Sequence, residues 1–245
     1  MELVKPSAAV YQSVWGLSDV CEIIMWIIPT MSRPDNAHEI IKRIRENGCK
    51  SKIIVFVNGE SHAKEYEIAL RDFSGDNFLV YYSKENIGCI AALNKVFSWG
   101  KSDEPFYGAI FDDEFLEEGN PDDIVSAAGD WNIAHGHENW HDGKRFQGYC
   151  VIGGELARAV GYLAVPECWH HFGFDCAWEW ICTQAAFGGA GVSGNILVDS
   201  VRVDRHTDGA ASDSFEDDRK KFTEWQHGDL QMIGDRVRER IRSAA

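Results

Sequence analysis

The sequence offers no disulfide or zinc framework. Its seven cysteines, Cys21, Cys49, Cys89, Cys150, Cys168, Cys176 and Cys182, form an odd set, and no two stand in CxxC spacing. Such frameworks need paired or regularly spaced cysteines, so reduced, mostly buried thiols in a cytoplasmic protein are expected. The first residues lack a basic stretch followed by an apolar core, so no secretory leader is expected. Long hydrophobic runs are missing as well. Residues 23–28 are apolar but fall far short of the ~20 residues that cross a bilayer. Positive charge is scarce, with 24 Lys and Arg against 39 Asp and Glu and a formal net charge of −15. Broad nonspecific nucleic-acid binding draws on basic surface that displaces counterions. The charge argues against it, while leaving room for a local basic groove. Internal repeats, low-complexity tracts and domain linkers are also absent.

What is present suits one large α/β domain. The chain has 245 residues, 44% of them hydrophobic and nine of them Trp, enough for a sizeable core. Residues 23–28, 53–57, 78–82 and 106–111 read as strands. Between them, Ala37, Ile40, Ile41 and Ile44 recur at helical spacing, with Asp35 or Asn36 as a cap and Gly48 as a stop. A helix through Ile90, Leu93 and Phe97 is expected to end at Gly100. Asn120-Pro121-Asp122-Asp123 reads as a helix start. Further on, residues 146–152 and 196–203 read as strands, and 155–162 and 175–187 as helices. Residues 1–211 are expected to form the main domain. Residues 212–245 are expected to form a helical extension packed on it, broken near Gly228, which also has the character of a subunit contact in a homo-oligomer.

Strands separated by helices imply a mostly parallel sheet covered by helices. Ligands of such sheets bind beyond the carboxyl ends of the strands. Thr30 to Arg33, Asn58, Asn86 and Asp112 to Glu114 all fall at such ends, so the topology would gather them at one edge. The sharpest feature is Asp112-Asp113-Glu114, three carboxylates delivered by an apolar strand. Buried charges of this kind need partners or a metal. In an extended segment alternate residues share a side, so Asp112 and Glu114 would face one ligand. Oxygen ligands suit Mn²⁺ or Mg²⁺ bridging to phosphates. The plainer reading is an acidic loop capping a helix.

In order, Ile28-Pro29-Thr30-Met31-Ser32-Arg33-Pro34, Val57-Asn58-Gly59, Asn86-Ile87-Gly88 with Ala91 and Asn94, and Asp112-Asp113-Glu114 resemble glycosyltransferase family 2 and its GT-A relatives. The resemblance continues through Gly153-Gly154, Gly173-Phe174-Asp175 and His206, spanning residues 22 to 207. It implies the Rossmann-like GT-A fold and metal-dependent transfer of a sugar from a nucleotide-sugar donor, with inversion. By the same resemblance Thr30, Arg33 and Asn58 hold the nucleotide, although the family often has Asp where Asn58 stands. Asn86, Gly88 and Asn94 match the segment before the metal motif, with Gly88 opening a helix toward the ligand. Glu114 replaces the family's final Asp and is favoured as direct metal ligand. Asp112 is assigned to ribose or metal, Asp113 to either, and His206 to the completion of the metal site. Asp175 takes the position of the catalytic base, with Glu179 one turn later in reserve.

UDP is the favoured donor nucleotide, and the sequence leaves the acceptor open. Two other readings stand beside this one. A nucleotidyltransferase would want a glycine-rich, basic phosphate loop, for which Arg33 is a poor substitute. An inactive nucleotide- or glycan-binding protein would have little use for the acidic motif, Asp175 and His206 together. His135, His137, His141, His170 and His171 lack the spacing of a zinc site with Cys partners. Trp140, Trp169, Trp178 and Trp180 could stack on sugar rings, while Trp178 reads as core.

Overall fold

The computed structural model describes residues 25–99, 104–139, 148–166, 174–186, 194–206 and 215–244. Strand β1 (Met25–Thr30) leads through α1 (Pro34–Glu46) to β2 (Lys52–Val57). A single 3-10 turn and α2 (Ala63–Ala69) lead to β3 (Phe78–Tyr82), and α3 (Cys89–Trp99) precedes β4 (Phe106–Ala109). The second half runs β5 (Glu114–Glu118), α4 (Pro121–Ala128), β6 (Ile133–Glu138), β7 (Cys150–Gly153), α5 (Gly154–Val160), α6 (Phe174–Ala186), β8 (Asn195–Arg205), α7 (Phe215–Gly228) and α8 (Leu230–Ala244). The eight strands of the described residues join one sheet in the order β3-β2-β1-β4-β7-β6-β8-β5. Pairings from β3 to β4 are parallel. Beyond β4 they are antiparallel, except for parallel β6 and β8.

The two faces of β1 and β2 seed two cores, because successive strand residues point to opposite sides. Met25, Ile27, Ile54 and Phe56 face a core completed by α3, α5, α6, α7 and α8. Trp26, Ile28, Ile53, Val55 and Val57 face another, built with α1, α2 and α4. Strands covered on both sides read as continuous apolar runs, which is why β1 and β2 were legible. Gly108 is demanded by this packing. It pairs with Trp26, whose ring lies 2.2 Å from where a Cβ on Gly108 would stand.

Helix α1 is capped two to three residues earlier than expected. Pro34 occupies the first turn behind Arg33, which makes no side-chain cap, and Asp35 lies inside the helix. Its buried stripe is the expected one, Ala37, Ile40, Ile41 and Ile44. Burial of each isoleucine contributes about 1.5–3 kcal/mol. At α4, Asn120 accepts the Asp122 N–H and Pro121 fills the first turn, as the sequence suggested. Strand β4 stops at Ala109, before the expected end, and a turn at Asp112 and Asp113 leads into β5. Helices α7 and α8 break beside Gly228, and α8 packs on α5 and α6. No helix among the described residues is long and apolar enough to cross a membrane.

Candidate active site

The parallel strands end in a shared polar cluster. Thr30 closes β1 and is 4% exposed, and its Oγ1 donates to Asp112 Oδ2 at 2.8 Å. Arg33 reaches the other carboxylate oxygen of Asp112 with Nη1 at 3.3 Å. Asn36 Nδ2 donates to the Asp112 carbonyl at 2.9 Å. The loop after β1 and the acidic turn after β4 are therefore joined through both carboxylate oxygens and the main chain of one residue.

A second set joins β1, β2 and the segment after β3. The Asn58 N–H donates to the Thr30 carbonyl at 2.7 Å. Asn58 Oδ1 accepts the Ile87 N–H at 3.0 Å. A main-chain N–H can only donate, so this contact fixes the amide's orientation and leaves Nδ2 as its donor end. Asn86 accepts the Gly88 N–H at 3.0 Å, and its Nδ2 lies 3.0 Å from the Met31 sulfur. Gly88 has φ +81°, a left-handed conformation that glycine adopts without strain, and α3 begins immediately after it.

Asn94 is not brought to this cluster. Its Oδ1 accepts from the Leu163 and Ala164 N–H groups at 2.9 and 3.0 Å, and its Nδ2 donates to the Ala164 carbonyl at 2.8 Å. It pins the chain after α5, where Trp178 Nε1 also donates to the Leu163 carbonyl at 2.7 Å. Trp178 is core, at 1% exposed.

The acidic motif is a turn, and its side chains diverge. This corrects the extended geometry expected for it. Asp112 turns to Thr30 and Arg33, whereas the Glu114 side chain is 1% exposed. Glu114 Oε2 accepts the Phe111 N–H at 3.0 Å, and Oε1 takes Arg205 Nη2 at 2.6 Å. Glu114 and Arg205 stand opposite each other in the β5–β8 pairing. Arg205 Nε also lies 3.5 Å from Glu138 and 3.9 Å from Asp113. Burial pushes the Glu114 carboxyl up to about 7, while Arg205 pulls it the other way. Burial also works against the Arg205 charge, but the surrounding carboxylates outweigh it and hold the guanidinium more firmly protonated.

His206 follows Arg205. Its N–H donates to the Asp113 carbonyl at 2.8 Å, and its Nε2 lies 2.7 Å from Asp204 Oδ2. The ring sits 4.8 Å from that of Phe115 and is largely exposed. Asp175 stands in the first turn of α6. Its neighbour Phe174 packs edge-on against Phe111, with ring centroids 5.7 Å apart, so α6 begins against the acidic turn. Gly173, Trp140, Trp169, His141, His170 and His171 lie outside the described residues. His135 is buried, with Nδ1 2.7 Å from the Gly136 carbonyl.

Sequence reasoning missed Arg205, Glu138 and Tyr66. The alternation Val201, Val203, Arg205 carries an inward-facing period into the arginine and could have revealed it. Tyr66 is the only buried residue of α2, so no periodicity marks it.

The chain matches glycosyl transferase family 2 over residues 25–149, about half its length, and belongs to that family. It is a glycosyltransferase of GT-A fold. No curated protein sequence matches it. Similar solved structures include a mannosyltransferase from Pyrobaculum calidifontis in complex with GDP-Man and Mn²⁺. It is 12% identical, with 96% of this chain and 79% of that one covered and a TM-score of 0.61. TarS of S. aureus in complex with UDP-GlcNAc is 12% identical over 88% of this chain and 70% of its own, with a TM-score of 0.56. GalNAc-T7 with UDP, GalNAc and Mn²⁺ is 11% identical over 89% of this chain, which spans just 54% of that protein, with a TM-score of 0.54.

Proposed function

We propose that the enzyme moves a sugar from a nucleoside diphosphate sugar to an acceptor hydroxyl, with inversion and with Mn²⁺ or Mg²⁺ as cofactor. The observation that carries this reading is the meeting of Thr30, Arg33 and Asn36 on Asp112, beside Asp113 and the start of α6. Among the described residues no three ligating side chains form a preset metal cluster. That fits a cation held by one or two carboxylates, with substrate phosphates and water in its other positions. Asp112 and Asp113, each 22% exposed, supply such carboxylates. Glu114 is instead buried, at 1% exposed, with its oxygens turned inward to the Phe111 N–H and Arg205. It is therefore read as the brace of the turn, a change from its expected role as direct ligand. His206, tied to Asp113 through the main chain, is the remaining candidate ligand. Bound there, the cation would offset the charge of the departing diphosphate.

In this reading Arg33 meets the diphosphate, and Thr30 and Asn58 serve the nucleoside. Asn58 presents Nδ2, so it donates to a carbonyl acceptor of the base. Uracil and guanine both carry one, and UDP is the donor nucleotide we favour. Asp175 takes the proton of the acceptor hydroxyl as its oxygen bonds to the anomeric carbon and the bond to diphosphate breaks. Glu179, one turn along α6, is the reserve base. Buried thiols at Cys49, Cys89, Cys150 and Cys182 support a cytoplasmic setting.

The test is release of nucleoside diphosphate from a panel of donor sugars, before and after chelation. Release that stops on chelation and returns with Mn²⁺ or Mg²⁺ is expected. Full turnover after exhaustive chelation would remove the cation from the mechanism. Release of pyrophosphate instead would favour nucleotidyl transfer, and tight binding without turnover would favour an inactive binder.

A further inference from the structure

Tyr66 belongs to no motif of the sequence, yet it stands behind the nucleotide loop. It comes from α2, is fully buried, and its hydroxyl lies 2.5 Å from Thr30 Oγ1. The same hydroxyl accepts the Arg33 N–H at 3.1 Å. The direction of each proton can be worked out. Thr30 has one hydroxyl proton and gives it to the Asp112 carboxylate, which in its ionised form only accepts. Thr30 therefore has only lone pairs to offer Tyr66, and Tyr66 must be the donor between them. Burial raises the phenol's pKa above its usual value, so the hydroxyl keeps its proton at neutral pH. The result is a one-way chain of donors: Arg33 N–H to Tyr66, Tyr66 O–H to Thr30, Thr30 O–H to Asp112. Arg33 Nη1 closes the loop on the second oxygen of the same carboxylate.

We propose that Tyr66 is a positioning residue for the nucleoside diphosphate: its hydroxyl sets the proton order of Thr30 and the main chain of Arg33, so that the Thr30–Arg33 loop and Asp112 are prearranged for the donor. The inference rests on the functional reading above. A polar residue buried in the same core cluster as Ile28, Ile41 and Val55 needs a reason, since a phenylalanine would fill the same space without a hydroxyl to satisfy. Donor chains of this kind strengthen one another in a low dielectric. Fixing a loop before binding removes an ordering cost that would otherwise weaken affinity. No atom of Tyr66 needs to touch the nucleotide.

Tyr66→Phe tests this, with UDP and then GDP titrated calorimetrically against the full chain in excess Mn²⁺. The variant is expected to bind the better of the two diphosphates about tenfold more weakly. Its KM for the corresponding sugar donor should rise by a similar factor, with kcat within about twofold of wild type and melting within a few degrees. In a Thr30→Val background, where the chain is already cut, Tyr66→Phe should add almost nothing. Ile68→Ala, an exposed change on the same helix, should leave affinity unaltered. A Tyr66→Phe protein that melts lower but binds as wild type would overturn the inference, because the hydroxyl would then serve stability alone. So would a loss of the same size with and without Thr30→Val. If wild type itself binds neither diphosphate, the functional reading falls and this inference falls with it. Normal wild-type binding with an unaffected variant sinks the inference alone.

Discussion

On the β3-β2-β1-β4 side of the sheet, polar side chains gather at strand ends, and the charged ones among them remain partly open. Asp112 and Arg33 keep 22% and 33% of their side-chain surface exposed. On the β7-β6-β8-β5 side, charge lies inside. Glu114 and Glu138 are 1% and 2% exposed around Arg205. The parallel side gathers its polar groups at one edge, because parallel strands all end there. On the mixed side β8 runs antiparallel to β5, so the end of β8 meets the start of β5 and charges pair across strands. The proposed function makes one side the source of affinity and the other the support that holds the acidic turn in place. Four changes separate those roles.

The largest effect is expected at Arg205→Met. Removing the cation leaves Glu114 and Glu138 facing each other in the interior. Breaking a buried pair in this way costs about 3–5 kcal/mol. Denaturant unfolding should show the loss, and a further Glu114→Gln should restore part of it. Unchanged stability in the single variant would mean that the carboxylates are protonated or reached by water, and that the interior side carries no charge burden.

Asp175 lies at the seam, on a helix that starts against the acidic turn. Asp175→Asn is expected to keep donor binding and lose turnover by about 10²-fold or more, the scale of a positioned base. A plain acid at the helix start would behave differently, since Asn is also well tolerated there. Near-normal turnover in the folded variant would move the base to Glu179.

Asn94→Ala sharpens the boundary of the ligand side. It removes three hydrogen bonds to residues 163 and 164 and leaves main-chain groups without their partner. A loss of about 1–3 kcal/mol in stability is expected, with diphosphate affinity nearly unaltered. Weakened affinity at constant stability would return Asn94 to the nucleotide pocket, where the family resemblance put it.

Arg33→Ala should do the reverse. Its partly exposed pair with Asp112 is worth about 0–1 kcal/mol to the fold. Diphosphate affinity should fall about tenfold, the scale of a hydrogen bond to a charged group, and the fall should shrink as salt rises. Equal binding by calorimetry would take Arg33 out of the site.

The sequence was a good guide where its signal was repetitive. Strands β1, β2 and β3 are apolar runs, and α1 carries its stripe at helical spacing, so their positions were legible within a residue or two. Strand β6 was missed because Ile133–Glu138 includes His135, Gly136, His137 and Glu138, a pattern without apolar alternation. Strand β5 was hidden for a related reason: it opens on Glu114, a charge that looked like part of a ligand loop.

Composition, periodicity and motif order by themselves determined the α/β class, the edge where polar residues collect, and the resemblance to a family that the chain proved to join. Those features are local or cumulative, and each is written in a short stretch of chain. The direction of each carboxylate was decided only in three dimensions. Asp112 and Glu114 are two residues apart, yet one meets Thr30 and the other Arg205, because a turn intervenes and β8 returns beside it. Tyr66 and Asn94 likewise acquire their roles from partners 36 and about 70 positions away. A hydrogen bond depends on where two atoms end up, and at such separations only the packed sheet and its helices fix that.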